Sequence, residues 1–337
     1  MTIKDIAKQC NVSVSTVSRV LNDRPDVSED VRRKVLSAIK NSNYIPNNSA
    51  RDLVRTKSDA VGLVVRGVSN PFYTDIIRAI ERTITDAGFT MVMQQIGTCD
   101  DEVKCGAVME REKRLQGIVF LGGRFDYTPA DLAMLNVPFV CCSYSNRYGT
   151  LIEGEYSSVS IADGDTAQQA VEELYRHGHR RIAALISRPN DQSISQLRYE
   201  GYVQALESHG IPVDPELVIS TGGFDVRDAY SAVKAALERG ADFTALFAIA
   251  DSMAIGAMRA LMDAGRRIPE DCSVIAIDGL ELSAYIEPPL TTLCQPMEEM
   301  GRRSAEILLD MVRHKGSHAC ELLPTTLRQG RSVAAPR

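Results

Sequence analysis

The first 45 residues carry apolar side chains at helical spacing in three short runs. The first run begins at Thr2, the second at Ser13, and the third at Ser28, where two acidic residues occupy the first turn and favour a helix N-terminus. In the second run, Val17 is predicted to face inward. Only three residues separate the first two runs, so the helices are expected to cross steeply as a helix-turn-helix. Asn11 lies in that turn, and asparagine tolerates the positive φ that such turns require.

From residue 60 onward the pattern changes to short apolar runs that alternate with helical segments. The predicted strands are 60–65, 89–93, 117–121, 138–142, 159–161, 182–186, 245–249 and 273–277. The predicted helices are 72–87, 100–114, 129–135, 165–177, 195–209, 227–239, 251–264 and 297–313. This alternation predicts an α/β fold with doubly wound parallel sheets. A ligand is then expected at the carboxyl ends of the strands.

A break in the series near residue 162, with a return at 290–296, predicts two α/β subdomains that flank a cleft. The expected organisation is a helix-turn-helix headpiece over 1–46, a linker over 47–58, and a body over 59–337. Within the body, the N-subdomain is expected to contain 59–162 with 290–316, and the C-subdomain 163–289 with 317–330. The linker is polar and short. Because isolated helices of this length are unstable in water, it needs a partner to become ordered.

The net charge of −6 is distributed unevenly along the 337 residues. Residues 1–57 contain 11 Lys or Arg and 6 Asp or Glu, a net charge of +5, whereas the remainder contains 27 and 38, a net charge of −11. DNA phosphates attract the basic module and repel the acidic body. The charge pattern therefore predicts a DNA-binding protein that approaches the duplex with its N-terminal module.

Several classes of protein are disfavoured by what the sequence lacks. The first ten residues carry charges where a signal peptide would be apolar, no run is long enough to span a bilayer, and the eight cysteines form no C-x-x-C pair. These features predict a cytoplasmic protein with reduced thiols. Neither a G-x-G-x-x-G nor a P-loop motif is present, and His177 and His179 have no further metal ligands nearby. We therefore expect no enzyme, cofactor or metal. The alternative functions are an α/β enzyme and a sugar-binding receptor, and neither explains the basic N-terminal module.

Specific motifs then identify a resemblance that covers nearly the whole chain. In the headpiece they are VS-x-x-TVSRVLN and Y-x-PN. In the body they are SNPFY (69–73), HGHRRIAAL (177–185), RYEGYVQAL (198–206), DSMAIGAMRAL (251–261) and EPPLTTLCQP (287–296). The chain resembles the LacI/GalR family of bacterial repressors, whose effector domain is similar to periplasmic sugar-binding proteins. The resemblance implies a transcriptional repressor controlled by a small molecule. Two half-sites need two headpieces, so a homodimer on a pseudo-palindromic operator is expected.

The second helix is expected to enter the major groove of double-stranded DNA. Arg19 can donate two hydrogen bonds to guanine, and a methyl group of Val14 can contact the thymine methyl. Ser13 and Thr16 suit phosphate contacts, which set the register. In the family, Val14 and Ser15 match the two main specificity positions. The complete set of predicted DNA contacts is Thr2, Ser13, Val14, Ser15, Thr16, Ser18, Arg19, Asn22, Tyr44, Asn47, Ala50 and Leu53.

The resemblance also implies a hinge helix in the linker, formed only when two chains meet over the operator. Leu53 would then enter the minor groove as an apolar wedge and kink the duplex. The alternative is a flexible tether with Leu53 packed on the body.

Residues at strand ends and in the family's motifs are predicted to bind the effector. They are Phe72, Tyr73, Asp163, Arg198, Phe224, Asp251 and Asp278. Carboxylates and a guanidinium can pair with sugar hydroxyls, and aromatic rings can cover a pyranose, so a neutral sugar is the first expectation. A purine or nucleoside stacked between Phe72 and Phe224, or a sugar phosphate, is the alternative. The sequence departs from sugar-responsive members at Gly164, Ala250 and Gly279. It therefore determines neither the identity of the effector nor whether the effector releases or promotes DNA binding.

Overall fold

The computed structural model describes residues 3–21, 24–42, 58–67, 70–98, 100–188 and 192–337. It contains two compact units, Met1–Ser58 and Asp59–Arg337. The boundary between them falls at the end of the predicted linker. Each unit has its own apolar core.

The first unit contains the three predicted helices, α1 (Ile3–Cys10), α2 (Val14–Leu21) and α3 (Glu29–Ser42). Its core is formed by Ile6, Val17, Val20 and Val35, each at most 3% exposed. These are positions that the helical spacing turns inward, and their burial holds three short helices together that would be unstable alone.

Local chemistry sets the turn between α1 and α2. Asn11 has φ +54°, as its place in the turn predicted. Ser13 then caps α2, because its Oγ accepts a hydrogen bond from the Thr16 backbone N–H at 3.1 Å. The turn and the cap fix where α2 begins, and therefore which of its side chains are exposed.

The second unit contains two six-stranded sheets. The sheet of the N-subdomain has the order β11-β5-β4-β3-β1-β2 and all its described pairs are parallel. Its strands are β1 (Ala60–Arg66), β2 (Thr90–Ile96), β3 (Gly117–Leu121), β4 (Phe139–Cys142), β5 (Ser158–Ser160) and β11 (Cys320–Leu322). The helices that accompany it are α4 (Tyr73–Asp86), α5 (Glu102–Lys113), α6 (Pro129–Leu132) and α11 (Met297–His314).

The sheet of the C-subdomain has the order β12-β10-β9-β8-β6-β7 and is parallel except for the β10–β12 pair. Its strands are β6 (Ile182–Ile186), β7 (Val218–Ser220), β8 (Ala245–Ala248), β9 (Ser273–Asp278), β10 (Thr291–Cys294) and β12 (Thr326–Arg328). Its helices are α7 (Asp163–Arg176), α8 (Ile194–Ser208), α9 (Val226–Glu238) and α10 (Asp251–Asp263), with short 3-10 helices at Pro215–Leu217 and Glu281–Ala284. The central strands are buried along their length, as expected where helices cover both faces of a parallel sheet.

The sheets differ from the predicted division of the body at two points. β10 pairs with β9 in the C-subdomain, although 290–316 was assigned to the N-subdomain. β11 pairs with β5 in the N-subdomain, although 317–330 was assigned to the C-subdomain. Short strands such as β10 carry no local signal for one sheet or the other, because only the long-range register decides their partner. The edge strands β7, β11 and β12, of three residues each, were not predicted.

Two glycines allow pairs of helices to pack closely in the C-subdomain. A Cβ at Gly201 in α8 would lie 2.1 Å from the Gly164 carbonyl oxygen of α7, and a Cβ at Gly256 in α10 would lie 2.2 Å from the Val226 carbonyl oxygen of α9. Backbone atoms cannot move aside as the end of a side chain can. A Cβ at either position would therefore force the two helix backbones apart.

We expect Gly201→Ala to lower the free energy of unfolding by about 1–3 kcal/mol, the usual cost of overpacking. Gly164→Ala is the matched control at the same helix contact, since the nearest atom to its Cβ would be 3.7 Å away. Urea unfolding of both variants measures the difference. Equal stability of the two variants would contradict close packing at Gly201.

Candidate functional site

A cavity of about 540 Å³ lies between the two subdomains. It is lined by residues at or just after the carboxyl ends of five strands: Arg66 (β1), Gly122 (β3), Ser143 (β4), Ser187 (β6) and Asp278 (β9). This is where open parallel sheets bind ligands. The cavity therefore occupies the position predicted for the effector cleft.

Five of the seven predicted effector-binding residues line this cavity: Phe72, Tyr73, Arg198, Phe224 and Asp278. Phe72 and Tyr73 lie with their ring centroids 5.6 Å apart on the N-subdomain side, and Phe224 lies on the C-subdomain side. Desolvation raises the pKa of Tyr73 to about 12, so its hydroxyl remains a hydrogen-bond donor at neutral pH.

Arg198, on α8, is held by a network at the base of the cavity and is 2% exposed. Its Nε donates to Asp163 Oδ1 at 2.9 Å, and its Nη1 lies 3.3 Å from Asp278 Oδ1 and also donates to the Ile249 carbonyl. Its Nη2 is buried and has no hydrogen-bond partner among the described residues. Since an unpaired buried donor is costly, this atom is the group best placed to bind a ligand oxygen.

Asp278 is the acidic partner of Arg198 at the cavity. Its Oδ1 also accepts from Gln295 Nε2 at 2.8 Å, and its backbone has φ +138°, a strained value for a residue other than glycine. Burial raises its pKa to about 7, against the opposing effect of Arg198. Burial likewise raises the pKa of Asp163. One guanidinium cannot neutralise two buried carboxylates, so a proton is held tightly at this network.

The raised pKa of Asp278 has a consequence for stability. The folded protein binds this proton more tightly than the unfolded chain, in which an aspartate titrates near 3.8. The stabilisation that comes from protonated Asp278 is therefore complete below about pH 3.8 and is lost as the pH rises toward 7. Asparagine does not titrate, so the free energy of unfolding of Asp278→Asn should rise relative to that of wild type by up to about 1.4 kcal/mol for each pH unit between these two values. Urea unfolding at several pH values measures this, and parallel profiles would refute it.

Asp163 and Asp251 are not among the residues that line the cavity. Asp163 accepts a hydrogen bond from Arg198 Nε and so helps to orient the guanidinium. Asp251 is fully buried; its Oδ2 accepts from the Leu280 N–H and the Ser283 hydroxyl, and its Oδ1 from the Thr292 hydroxyl. The structure gives Asp251 an internal role, joining the segment after β9 to β10, in place of the predicted ligand contact.

Sequence reasoning missed other charged residues of the cavity, namely Arg66, Arg188, Asp225 and Asp228. Arg66 ends β1 and Arg188 lies two residues after β6, so the rule that ligands contact the carboxyl ends of strands would have found both. Asp225 and Asp228 lie at the start of α9, which follows the short strand β7 that was not predicted.

Helix α8 also connects the two subdomains. The Tyr148 hydroxyl of the N-subdomain donates to Glu200 Oε1 of α8 at 3.1 Å. Ile194 and Leu197 of α8 pack against the apolar cluster of the N-subdomain that contains Phe125. One helix therefore carries the buried arginine of the cavity and contacts the other subdomain.

The headpiece exposes the residues predicted to read DNA. Val14 is 41% exposed, and Ser13, Ser15 and Arg19 are also exposed, whereas Thr16 and Ser18 are half-buried. Arg19 Nη1 lies 3.5 Å from Asp26 Oδ2, and both side chains are more than half exposed. Such a surface pair is weak, so Arg19 can turn to another acceptor. The remaining predicted contacts lie outside the described residues: Thr2, Asn22, Tyr44, Asn47, Ala50 and Leu53.

Membrane spans, metal sites and cysteines were considered in the sequence and can be compared with the structure. Within the described ranges, no helix is long and apolar enough to cross a membrane, and no group of His, Cys, Asp or Glu could hold a metal ion. The seven described cysteines are free. Cys320 is exposed, whereas Cys10, Cys141, Cys142 and Cys272 are buried. Cys99 lies outside the described residues.

A helix-turn-helix unit joined to a two-subdomain body with a polar, aromatic-lined cleft defines the class of ligand-responsive DNA-binding regulators. The family model for bacterial regulatory proteins of the lacI family matches residues 2–47, and that for a periplasmic binding protein-like domain matches residues 171–333. The HTH-type transcriptional regulator MalR of Clostridium butyricum is 40% identical over 97% of both chains. The HTH-type transcriptional repressor CytR of Escherichia coli K12 is 33% identical, covering 96% of this chain and 94% of CytR. This chain belongs to the LacI family.

Solved structures agree with this assignment. The lac repressor dimer bound to operator and the anti-inducer ONPF has a TM-score of 0.79 and 27% identity, covering 99% of both chains. The complex of the transcriptional regulator CelR with cellobiose has a TM-score of 0.72 and 31% identity, covering 98% of this chain and 99% of CelR. The chain is a DNA-binding transcriptional regulator and not an enzyme, as predicted from its sequence.

Proposed function

We propose that the chain is a cytoplasmic, homodimeric repressor whose affinity for its operator is controlled by a neutral saccharide in the cleft. The observation that carries the proposal is Arg198, a buried guanidinium at the cavity beside the carboxylate of Asp278, with one donor that no described residue pairs. A guanidinium next to a carboxylate presents donors and acceptors a few ångströms apart. Adjacent sugar hydroxyls, which both donate and accept, match that arrangement.

The charges of the cavity favour a neutral ligand. Among the described residues, its lining contains three arginines, Arg66, Arg188 and Arg198, and three aspartates, Asp225, Asp228 and Asp278. A site for a phosphorylated ligand would be expected to carry an excess of positive charge. Aromatic rings on both sides suit the apolar faces of a pyranose. The similar structure of CelR was solved with cellobiose, which supports a saccharide.

DNA binding is proposed to use the exposed face of α2. Arg19 and Val14 would contact base edges in the major groove, and Ser13 would contact phosphate. Two chains would place two headpieces on a pseudo-palindrome, in keeping with the similar lac repressor dimer on its operator. In the linker, Leu53 would act as the minor-groove wedge.

The test begins with an operator selected from a random pool of duplexes by the purified full-length protein. Thermal melts against sugars, sugar phosphates, purines and nucleosides then identify the effector, because a ligand at a hundred times its Kd stabilises the folded state by about 2.7 kcal/mol. Fluorescence anisotropy of the operator follows, with and without that ligand. We expect a neutral saccharide to raise the melting temperature and to change operator affinity at least tenfold. A shift with only purines or sugar phosphates would contradict a saccharide effector.

A further inference from the structure

A carboxylate lies beside the arginine that is predicted to read DNA. Arg19 belongs to the last turn of α2, and its Nη1 lies 3.5 Å from Oδ2 of Asp26, in the loop before α3. The two side chains are 58% and 57% exposed. Phosphates repel a carboxylate, so an acid at this position weakens the general attraction of the basic headpiece for DNA. This cost is offset only if Asp26 improves what Arg19 does.

The loop that carries Asp26 is held in place on both sides. Before it, the Arg24 backbone N–H donates to the Arg19 carbonyl at 3.0 Å, and the Arg24 carbonyl accepts from Arg32 Nη2 of α3 at 2.5 Å. After it, Val27 packs against the apolar core of the headpiece. The backbone of Asp26 is therefore placed by α2, α3 and the core, so its carboxylate has a defined position relative to Arg19.

The ion pair involves only one part of the Arg19 guanidinium. Arginine has five N–H donors in a planar fork, and a bidentate contact with O6 and N7 of guanine uses two of them. The pair with Asp26 is made through Nη1. The edge formed by Nε and Nη2 is then left for a base. Arg19 therefore does not have to release Asp26 in order to bind a guanine.

A carboxylate at this position lowers the entropic cost of the base contact. An exposed arginine side chain has many rotamers and loses that freedom when it binds. In water, the pair with Asp26 restrains Arg19 only weakly. When a duplex displaces water from around the pair, the lower local dielectric strengthens the attraction between the two charges. A guanidinium that swings to a phosphate loses this partner, so the pair favours a base contact over a phosphate contact.

We propose that Asp26 is a positioning residue for DNA recognition, which holds the Arg19 guanidinium at the guanine edge of one base pair. The inference rests on the proposed contact of Arg19 with DNA and adds a second residue to it. Asp26 lowers the attraction of the headpiece to all DNA and raises the preference of Arg19 for its base pair. The ion pair thus exchanges affinity for specificity.

The test is a double-mutant cycle on base-pair discrimination by the full-length protein. Fluorescence anisotropy with single-base variants of the selected operator first identifies the base pair whose preference is relaxed in Arg19→Ala. Discrimination is then the Kd for a duplex substituted at that base pair divided by the Kd for the operator. We expect Asp26→Asn to bind random duplexes more tightly than wild type and to lose about threefold to fivefold in this ratio, the upper range for an exposed ion pair.

Two further variants complete the cycle. In Arg19→Ala protein, where the ratio is already reduced, the addition of Asp26→Asn should leave the ratio unchanged. Asp26→Glu keeps the carboxylate on a side chain that is one methylene longer, so it should retain more of the ratio than Asp26→Asn does. A residue that served only to stabilise the loop would not produce this pattern.

Asp30→Asn is the matched control. Asp30 is an exposed aspartate of the same headpiece, paired with Arg33 on α3, and its replacement removes the same charge. We expect Asp30→Asn to tighten binding to the operator and to random duplexes alike, with the ratio unchanged. Thermal melts of the variants, compared with wild type, confirm that each is folded.

Each contrary result has a distinct meaning. An unchanged ratio in Asp26→Asn, as in Asp30→Asn, would overturn the positioning role and leave only a general charge effect. A loss that persists in the Arg19→Ala background would overturn it too, because Asp26 would then contact a base itself, as a carboxylate can with the amino group of cytosine. In both cases Arg19→Ala still lowers the ratio, and the proposed contact of Arg19 stands. If Arg19→Ala relaxes no base pair, that contact fails, and the inference fails with it.

Discussion

Replacing Arg198 with methionine is expected to abolish saccharide binding and to lower the free energy of unfolding of the body by about 3–5 kcal/mol. Methionine retains apolar volume but leaves the carboxylates of Asp163 and Asp278 buried without their shared cation. Removing one partner of a buried ion pair is costly for this reason, although the intact pair adds little to stability. Urea unfolding measures the stability, and calorimetry with the effector identified for wild type measures binding.

A triple variant separates the two effects. Arg198→Met combined with Asp163→Asn and Asp278→Asn removes the unpaired charges as well as the guanidinium. We expect this variant to recover much of the lost stability without recovering saccharide binding, because the Nη2 donor is still absent. If the triple variant bound saccharide with wild-type affinity, Arg198 would have no direct role in the cleft.

Replacing Arg19 with alanine is expected to weaken operator binding by about 1–3 kcal/mol, the contribution of one bidentate arginine–guanine contact. The loss should be confined to the selected operator and should relax the preference at one base pair. Binding to unrelated duplexes should change much less. Fluorescence anisotropy with the operator, its single-base variants and a random duplex provides the comparison.

Arg33→Ala is the matched control for this prediction. Arg33 is an exposed arginine of the same headpiece, on α3, paired with Asp30 at 2.5 Å, and its loss changes the charge equally. We expect Arg33→Ala to affect operator and random DNA alike, through the general attraction to phosphates. An identical profile for Arg19→Ala would show that Arg19 contributes only charge.

Most of the fold could be predicted from local patterns. The helices of the headpiece follow from apolar spacing, and the positive φ of Asn11 follows from the residue type at a forced turn. The buried strands β6 and β8 are continuous apolar runs and β9 is apolar between Ser273 and Asp278, as is typical of a sheet covered on both faces. These features depend on neighbours in sequence, so the sequence contains the information needed to predict them.

The candidate site was predictable where its residues sit at strand ends or in motifs, as Arg198 and Asp278 do. It was not predictable where two similar residues have different partners. Asp251 and Asp278 are both buried aspartates, yet Asp251 is satisfied by Leu280, Ser283 and Thr292, whereas Asp278 reaches the cavity. A carboxylate's role depends on which donors surround it, and those donors come from distant parts of the chain.

The sequence by itself therefore determined the class of this protein: a basic helix-turn-helix headpiece, an acidic α/β body and a ligand cleft at the strand ends. Only the tertiary structure decided which sheet β10 and β11 join, that Asp251 is an internal partner, and that Arg66 and Glu102 form a second polar group across the cleft from Arg198. The physical reason is the range of the interactions. Helix spacing, turn chemistry and charge are set by residues close in sequence, whereas strand register and buried hydrogen bonds are set by long-range packing.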